Sequence, residues 1–254
     1  MAGMADRALI IVPALNEQDS VGDVVRGLRS RLPGLDVLVV DDGSADATGS
    51  QARSAQADVL TLPYNLGVGG AMRAGFKWAL RHGYDAVVQV DADGQHDAAA
   101  VPDLLAALRD ADIVIGARFA GVGDFVARGP RRWAMRLLAR SLSRVVGTKL
   151  TDSTSGFRAF NRRAMTLFSQ HYPVEYLGDT VEALLIAGRS GLRVTQVPVR
   201  MQERTTGSRS AGGLASTIYL ARAALALCLG LIRRWPADLI APEGQPGLPS
   251  KEKP

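Results

Sequence analysis

Five short apolar runs punctuate the first 117 residues: Ala8–Ala14, Val37–Asp41, Asp58–Leu62, Ala86–Val90 and Asp112–Gly116. They are continuously apolar rather than alternating, the pattern of strands buried on both faces. Between the first two, Val21, Val24, Val25, Leu28 and Leu32 recur at helical spacing, and Pro33-Gly34 closes the stretch. Gly67 to His82 predicts a second helix, ending before Gly83. Strand and helix in alternation predict an α/β fold, a mostly parallel sheet with helices on both faces. In such a sheet ligands bind at the carboxyl ends of the strands. Asp41-Asp42 and Asp91/Asp93 stand at those ends and are expected to share one crevice.

Two later stretches have a different pattern. Arg131 to Val146 predicts a helix with Arg132, Arg136, Arg140 and Arg144 in one stripe and Ala134, Leu138, Leu142 and Val145 opposite. It reads equally as a helix for an anionic membrane surface or as a solvated charged face. From Leu214 to Ile232 the only charge is Arg222, with Arg233-Arg234-Trp235 following. The length suits a membrane span, but a mid-segment arginine costs about 2.5–3.5 kcal/mol on insertion scales. An interfacial or re-entrant helix fits better, and a buried dimer helix is the alternative. Five prolines without periodicity predict a disordered tail over 236–254.

Composition narrows the class. With 47% hydrophobic and 22% charged residues, the 254-residue chain can build a sizeable core. The apolar stretch at 8–15 is short and preceded by Asp6, so no signal peptide is expected. Cys228 is the single cysteine, which excludes an internal disulfide framework. The net charge of +5 is unevenly spread: Arg118 to Arg163 holds eleven Lys or Arg and two Asp, a segment of +9. Such a segment seeks phosphates. Nucleic acid is disfavoured as their source, because aromatic residues are only 6% and no recognition motif interleaves with the arginines.

The sharpest chemical signal is Asp91-Ala92-Asp93-Gly94-Gln95-His96, directly after Ala86–Val90. Paired carboxylates where a strand runs out can hold Mg²⁺ or Mn²⁺, whose shell is completed by water and substrate phosphates. A nucleotide diphosphate is the matching occupant. Taken alone, the motif is also an ordinary surface turn. A calcium loop is excluded, since Gly94 comes too early and Pro102 stands where the closing glutamate belongs. Asp42 can accept hydrogen bonds from a base or ribose, while Ser44 or Asp46 is expected to cap the following helix. Asn65-Leu66-Gly67-Val68-Gly69-Gly70 lets backbone approach a nucleotide but lacks the dinucleotide-binding spacing.

The ordered series resembles the family-2 inverting glycosyltransferases, in the dolichol-phosphate mannose synthase-like branch. The carrying residues are Val12-Pro13-Ala14-Leu15-Asn16-Glu17, Asp41-Asp42-Gly43-Ser44, Asn65-Leu66-Gly67 and the Asp91–His96 run. They continue with Gly116-Ala117-Arg118, Asp152–Phe160, Glu182, Val197-Pro198-Val199 and Arg204–Arg209. The resemblance implies a GT-A fold that transfers a sugar from a nucleotide-diphosphate sugar to a polyprenyl monophosphate, with Mg²⁺ or Mn²⁺. By position, Pro13, Leu15, Glu17, Val40 and Asp42 would line the nucleoside pocket. Asp91, Ala92, Asp93 and Gln95 would surround the metal and diphosphate. Arg118 and Arg131 (or Arg132) match acceptor-phosphate positions, and Arg204 and Arg209 match a loop over the donor. Arg209 replaces the family's common lysine. Asp152 and Glu182 are the carboxylates that would face the sugar, or serve structure instead.

The expected organisation is a GT-A domain over 1–210, an apolar membrane-interface or dimer helix over 211–235, and the tail. The expected place is the cytoplasmic face of the membrane, as a peripheral or monotopic protein. Absent long lipid-embedding segments leave room for a separate membrane-protein partner. A nucleotidyltransferase would need a glycine- and lysine-rich phosphate loop after the first strand, which Val12–Glu17 does not supply. The remaining alternatives are a transferase with a soluble or polysaccharide acceptor, and a non-catalytic nucleotide-sugar or polyprenyl-phosphate binder.

Overall fold

The computed structural model describes residues 7–118, 139–173 and 179–200. Its centre is a seven-stranded sheet of β1 (Ala8–Ala14), β2 (Asp36–Asp41), β3 (Asp58–Thr61), β4 (Ala86–Gln89), β5 (Ile113–Ala117), β6 (Arg158–Asn161) and β7 (Val194–Pro198). The spatial order is β3-β2-β1-β4-β6-β5-β7. All neighbours are parallel except at β6, which runs antiparallel to both β4 and β5. The five apolar runs are therefore the first five strands, and the expected α/β sheet is the one observed.

Helices α1 (Val21–Arg31), α2 (Thr48–Ser54), α3 (Gly67–Arg81), α4 (Val101–Ala107), α5 (Arg162–His171) and α6 (Asp179–Arg189) flank it. One face is covered by Val21, Val25 and Leu28 of α1 with Val101 and Leu104 of α4. The other is covered by Met72 and Phe76 of α3, Phe168 of α5 and Leu184 of α6. Phe76 meets Phe160 edge-to-face at 5.0 Å between ring centroids, an arrangement favoured by the ring quadrupoles. Burying apolar side chains on both faces is what specifies parallel strands here.

The Arg131–Val146 expectation is observed in part. Residues 139–146 are helical, with Leu142 buried in the core and Arg140 and Arg144 exposed. Arg131, Arg132 and Arg136 lie outside the described residues, as do Arg204, Arg209, the Leu214–Ile232 segment and the tail. Among the described residues no helix is long and apolar enough to cross a membrane.

Strand direction places the chemistry. The chain leaves the parallel strands at one edge, at Leu15, Asp42, Leu62, Val90 and Arg118. Because β6 runs backwards, the 152–157 segment that enters it reaches that same edge.

Candidate functional site

The crevice is built from turns that are tied to one another. The turn after β1 bends at Asn16, which adopts a positive φ of 54°. Its amide donates to Ser44 Oγ at 3.0 Å, and its Oδ1 accepts from the Ala45 amide at 2.9 Å. The Glu17 amide donates to Thr48 Oγ1 at 2.8 Å, and the Gln18 amide to Asp46 at 3.2 Å. Ala47 immediately precedes α2, and of the two expected capping side chains it is Asp46 that meets the helix start, accepting from the Thr48 amide at 2.9 Å and from its hydroxyl. Burial would raise the Asp46 pKa, but these hydrogen bonds outweigh it and hold the carboxyl below its usual value.

A small cleft of about 80 Å³ opens between these turns, lined by Pro13, Ala14, Leu15, Asp42, Val68 and Ala71. Pro13, Leu15 and Asp42 are thus brought together in one cleft. Val40 is not in that lining: it is fully buried, in the core cluster that holds Ala71 and Met72. The alternation of side chains along a strand sends it to the core. Glu17 stands beside the cleft, where Ser20 Oγ donates to its carboxylate at 2.8 Å. Asp42 Oδ1 accepts from the Leu66 amide at 2.8 Å. Burial raises the Asp42 pKa, the Leu66 and Gly67 amides oppose this, and neighbouring Asp41 adds to the rise.

The register sets Gln89 beside Ile11, so the chain beyond β4 emerges next to Pro13. Gly94 turns it back with a φ of 77°, and the Gln95 amide donates to Asp93 Oδ1 at 3.0 Å. Asp91 is held more elaborately. Its amide donates to His96 Nδ1 at 3.0 Å, and Gln89 Nε2 donates to its Oδ1 at 3.3 Å. His96 Nε2 lies 3.6 Å from Asp91 Oδ2, beyond hydrogen-bonding range but within electrostatic reach. The His96 ring stacks on Phe157 at 4.7 Å and 14°. Gly156 passes so close that a Cβ there would sit 3.0 Å from Asp91 Oδ2.

At the far end, Arg118 grips Asp152 in a two-pronged pair, Nε to Oδ2 at 2.6 Å and Nη2 to Oδ1 at 3.0 Å. Nη2 also reaches Thr154 Oγ1 at 3.0 Å. Asp152 is almost fully buried, yet the Arg118 guanidinium overrides burial and holds its carboxyl below the usual range. The carboxylate of Asp152 therefore faces Arg118. Arg158, 1% exposed, ties the intervening loop from inside by donating to the carbonyls of Ser155 at 2.8 Å and Ser153 at 2.9 Å.

No group of three or more His, Cys, Asp or Glu among the described residues is arranged to hold a metal by itself. Two hard carboxylates at a strand end still fit Mg²⁺ or Mn²⁺, which need few protein ligands when substrate phosphates supply the rest. His96, Gln89, Gly156 and Arg158 were not assigned from sequence. Gln89 offered a signal, as the one polar side chain in Ala86–Val90.

A doubly wound sheet with one reversed strand, a small cleft beside the β1 and β2 ends and paired acids at the β4 end match the GT-A architecture. The chain belongs to glycosyl transferase family 2, whose sequence model matches residues 9–168. It is 39% identical to the undecaprenyl-phosphate mannosyltransferase of Micrococcus luteus, over 82% of this chain and 89% of that one. It is 34% identical to the polyprenol monophosphomannose synthase of Mycolicibacterium smegmatis, over 82% of both chains. In structure it is similar to glucosyl-3-phosphoglycerate synthase of Mycobacterium tuberculosis, crystallised with Mn²⁺, UDP and phosphoglyceric acid. That match has a TM-score of 0.67 and 20% identity, covering 88% of this chain and 78% of the other.

Proposed function

We propose that this glycosyltransferase moves a mannosyl group from a nucleotide-diphosphate sugar to a polyprenyl monophosphate, with inversion at the anomeric carbon. The observation that carries the substrate class is the likeness to two polyprenyl-phosphate mannosyl enzymes along most of their length. The acceptor also suits the basic segment from Arg118 to Arg163.

Pro13, Leu15 and Asp42 receive the nucleoside, with Asp42 accepting from ribose or base. Asp91 and Asp93, with Gln95, would hold Mg²⁺ or Mn²⁺. The bound ion would neutralise charge that develops on the departing diphosphate, as Mn²⁺ and UDP accompany the glucosyl relative. Arg204 and Arg209 add cationic charge over the donor. Arg118, steadied by Asp152, and Arg131 receive the acceptor phosphate. One phosphate oxygen forms the new bond to the anomeric carbon as the bond to the diphosphate breaks on the opposite face. A phosphate monoester, with a second pKa near 6, is already largely ionised at neutral pH, so positioning matters more than proton removal. Asp152 accordingly serves as a positioning residue for Arg118.

The reaction belongs at the cytoplasmic face of the membrane, where residues 211–235 would anchor the 1–210 domain, alone or with a membrane-protein partner. The test is a donor panel of GDP-mannose, UDP-glucose and UDP-N-acetylglucosamine with undecaprenyl phosphate and Mg²⁺ or Mn²⁺. The expected product is mannosyl-phosphoryl-polyprenol. Transfer to soluble sugars or polysaccharide with none to the lipid would overturn the acceptor; nucleotide-sugar binding without turnover would leave a binding protein.

A further inference from the structure

We infer that His96 and Gln89 are the positioning residues of Asp91, Gln89 by a hydrogen bond to Oδ1 and His96 by a hydrogen bond from the Asp91 amide with its Nε2 turned toward Oδ2. The inference rests on the proposed metal-diphosphate role of Asp91. Gln89 Nε2 addresses Oδ1 at 3.3 Å, and His96 Nε2 addresses Oδ2 at 3.6 Å. Together they fix the direction of the two carboxylate oxygens.

The His96 ring is restrained in three ways. Nδ1 accepts the Asp91 amide, which places the remaining proton of the neutral ring on Nε2, facing Oδ2. Phe157 fixes the ring plane by stacking. Burial does the rest, since the His96 side chain is only 4% exposed whereas Asp91 is 39% exposed. One nitrogen of the imidazole thus bonds the Asp91 backbone while the other stands within electrostatic reach of its carboxylate. A histidine that merely filled space would not need that.

Gln89 carries an independent sign of purpose. It is 4% exposed, and its Oε1 has no hydrogen-bond partner among the described residues. A buried unpaired amide oxygen costs about 1–3 kcal/mol, so its place in a strand is not explained by stability. Directing its NH₂ at Asp91 explains it. Gly156 closes the arrangement, because a Cβ there would lie 3.0 Å from Oδ2, 3.1 Å from Oδ1 and 3.3 Å from Gln89 Nε2. Outer partners of metal-binding carboxylates commonly set metal affinity by 10–100-fold.

The experiment uses full-length protein and reads Mn²⁺ binding from the free-ion EPR signal with GDP or UDP present. Affinity for GMP and UMP in EDTA and the thermal midpoint serve as controls. His96→Asn can keep an acceptor near the Nδ1 position and lose the donor to Oδ2; His96→Gln can place an NH₂ near the Nε2 position. Expected are a loss of Mn²⁺ affinity of about 10–100-fold in His96→Asn and Gln89→Leu, and partial recovery in His96→Gln. Monophosphate affinity should stay within about twofold of wild type. In the metal-free protein, ¹⁵N NMR should show the His96 proton on Nε2. Unchanged Mn²⁺ affinity in both His96→Asn and Gln89→Leu, with Asp91→Asn abolishing it, overturns the inference and leaves the metal reading standing. Equal loss of monophosphate affinity and folding also overturns it, in favour of a purely structural role. Wild-type Mn²⁺ affinity in Asp91→Asn and Asp93→Asn brings down the metal reading itself, and the inference with it.

Discussion

At the scale of single residues, neighbours separate acids that look alike in sequence. Asp93 accepts from the Gln95 amide at the crevice, and an asparagine keeps that acceptor, so Asp93→Asn should abolish turnover while the thermal midpoint barely moves. Steady-state kinetics beside calorimetry checks this, and an active variant would remove the metal from the account. Asp42 behaves differently because burial raises its pKa. The folded protein then takes up this proton at a higher pH than the unfolded chain. Its charged form therefore costs stability at neutral pH, a cost relieved as pH falls through the folded value. An ionised Asp42 is the better acceptor for ribose or base. Nucleotide affinity should consequently decline on acidification before the ordinary value of 3.8 is reached. Titration calorimetry against pH should show that limb in wild type and a flatter one in Asp42→Asn.

At the scale of elements, continuous apolar runs made the first five strands legible, because burial on both faces leaves no polar alternation. The same rule hid β6. Its Arg158-Ala159-Phe160-Asn161 is four residues long, begins with a buried guanidinium and joins the sheet backwards. The motif around it was recognisable as chemistry, but nothing local disclosed a strand. Val40 shows the complementary limit, since motif position carried it towards the pocket while strand alternation put it in the core. The His96–Asp91–Gln89 contacts need a folded turn and could not be read from spacing. Two element-scale outcomes follow. Asp152→Ala should cost about 2–3 kcal/mol, less than a wholly buried pair because Arg118 remains one-third exposed. The Asp152 pKa is lowered, so its stabilisation is complete above the unfolded value near 3.8 and fades only below it. Acid unfolding of Asp152→Asn should lack that final limb. Gly188→Ala should destabilise by about 1–3 kcal/mol, measured in urea. Its new Cβ would meet the Val145 carbonyl at 2.7 Å, and that clash exceeds the ~1 kcal/mol gained in helix propensity.

At the scale of the whole molecule, a water-facing nucleotide and a bilayer-bound lipid must meet in one crevice. Exposed Arg140 and Arg144, with Arg132 and Arg136 at the same spacing, give attraction of about 1 kcal/mol each near an anionic surface, weakened by salt. The Leu214–Ile232 segment would add the salt-resistant part. Full-length protein should therefore cosediment with anionic vesicles in high salt, whereas a truncation after Ser210 should release. Equal retention would assign that segment to a dimer or core role. The Arg118–Asp152 grip has a bearing on how such an enzyme can diversify. It joins residues 34 positions apart, so everything between them departs from and returns to one fastening at the lip of the crevice. Closure entropy rises only slowly with length, so the clasp itself sets little limit on the chain it closes, whereas Leu142 and Leu150, buried in the core, fix the second half of that chain. A lineage holding this clasp and those two leucines constant is free to vary the rest of the chain between Arg118 and Asp152 while inheriting its nucleotide half intact, and that is where evolution, or an engineer, would look to change what the enzyme glycosylates.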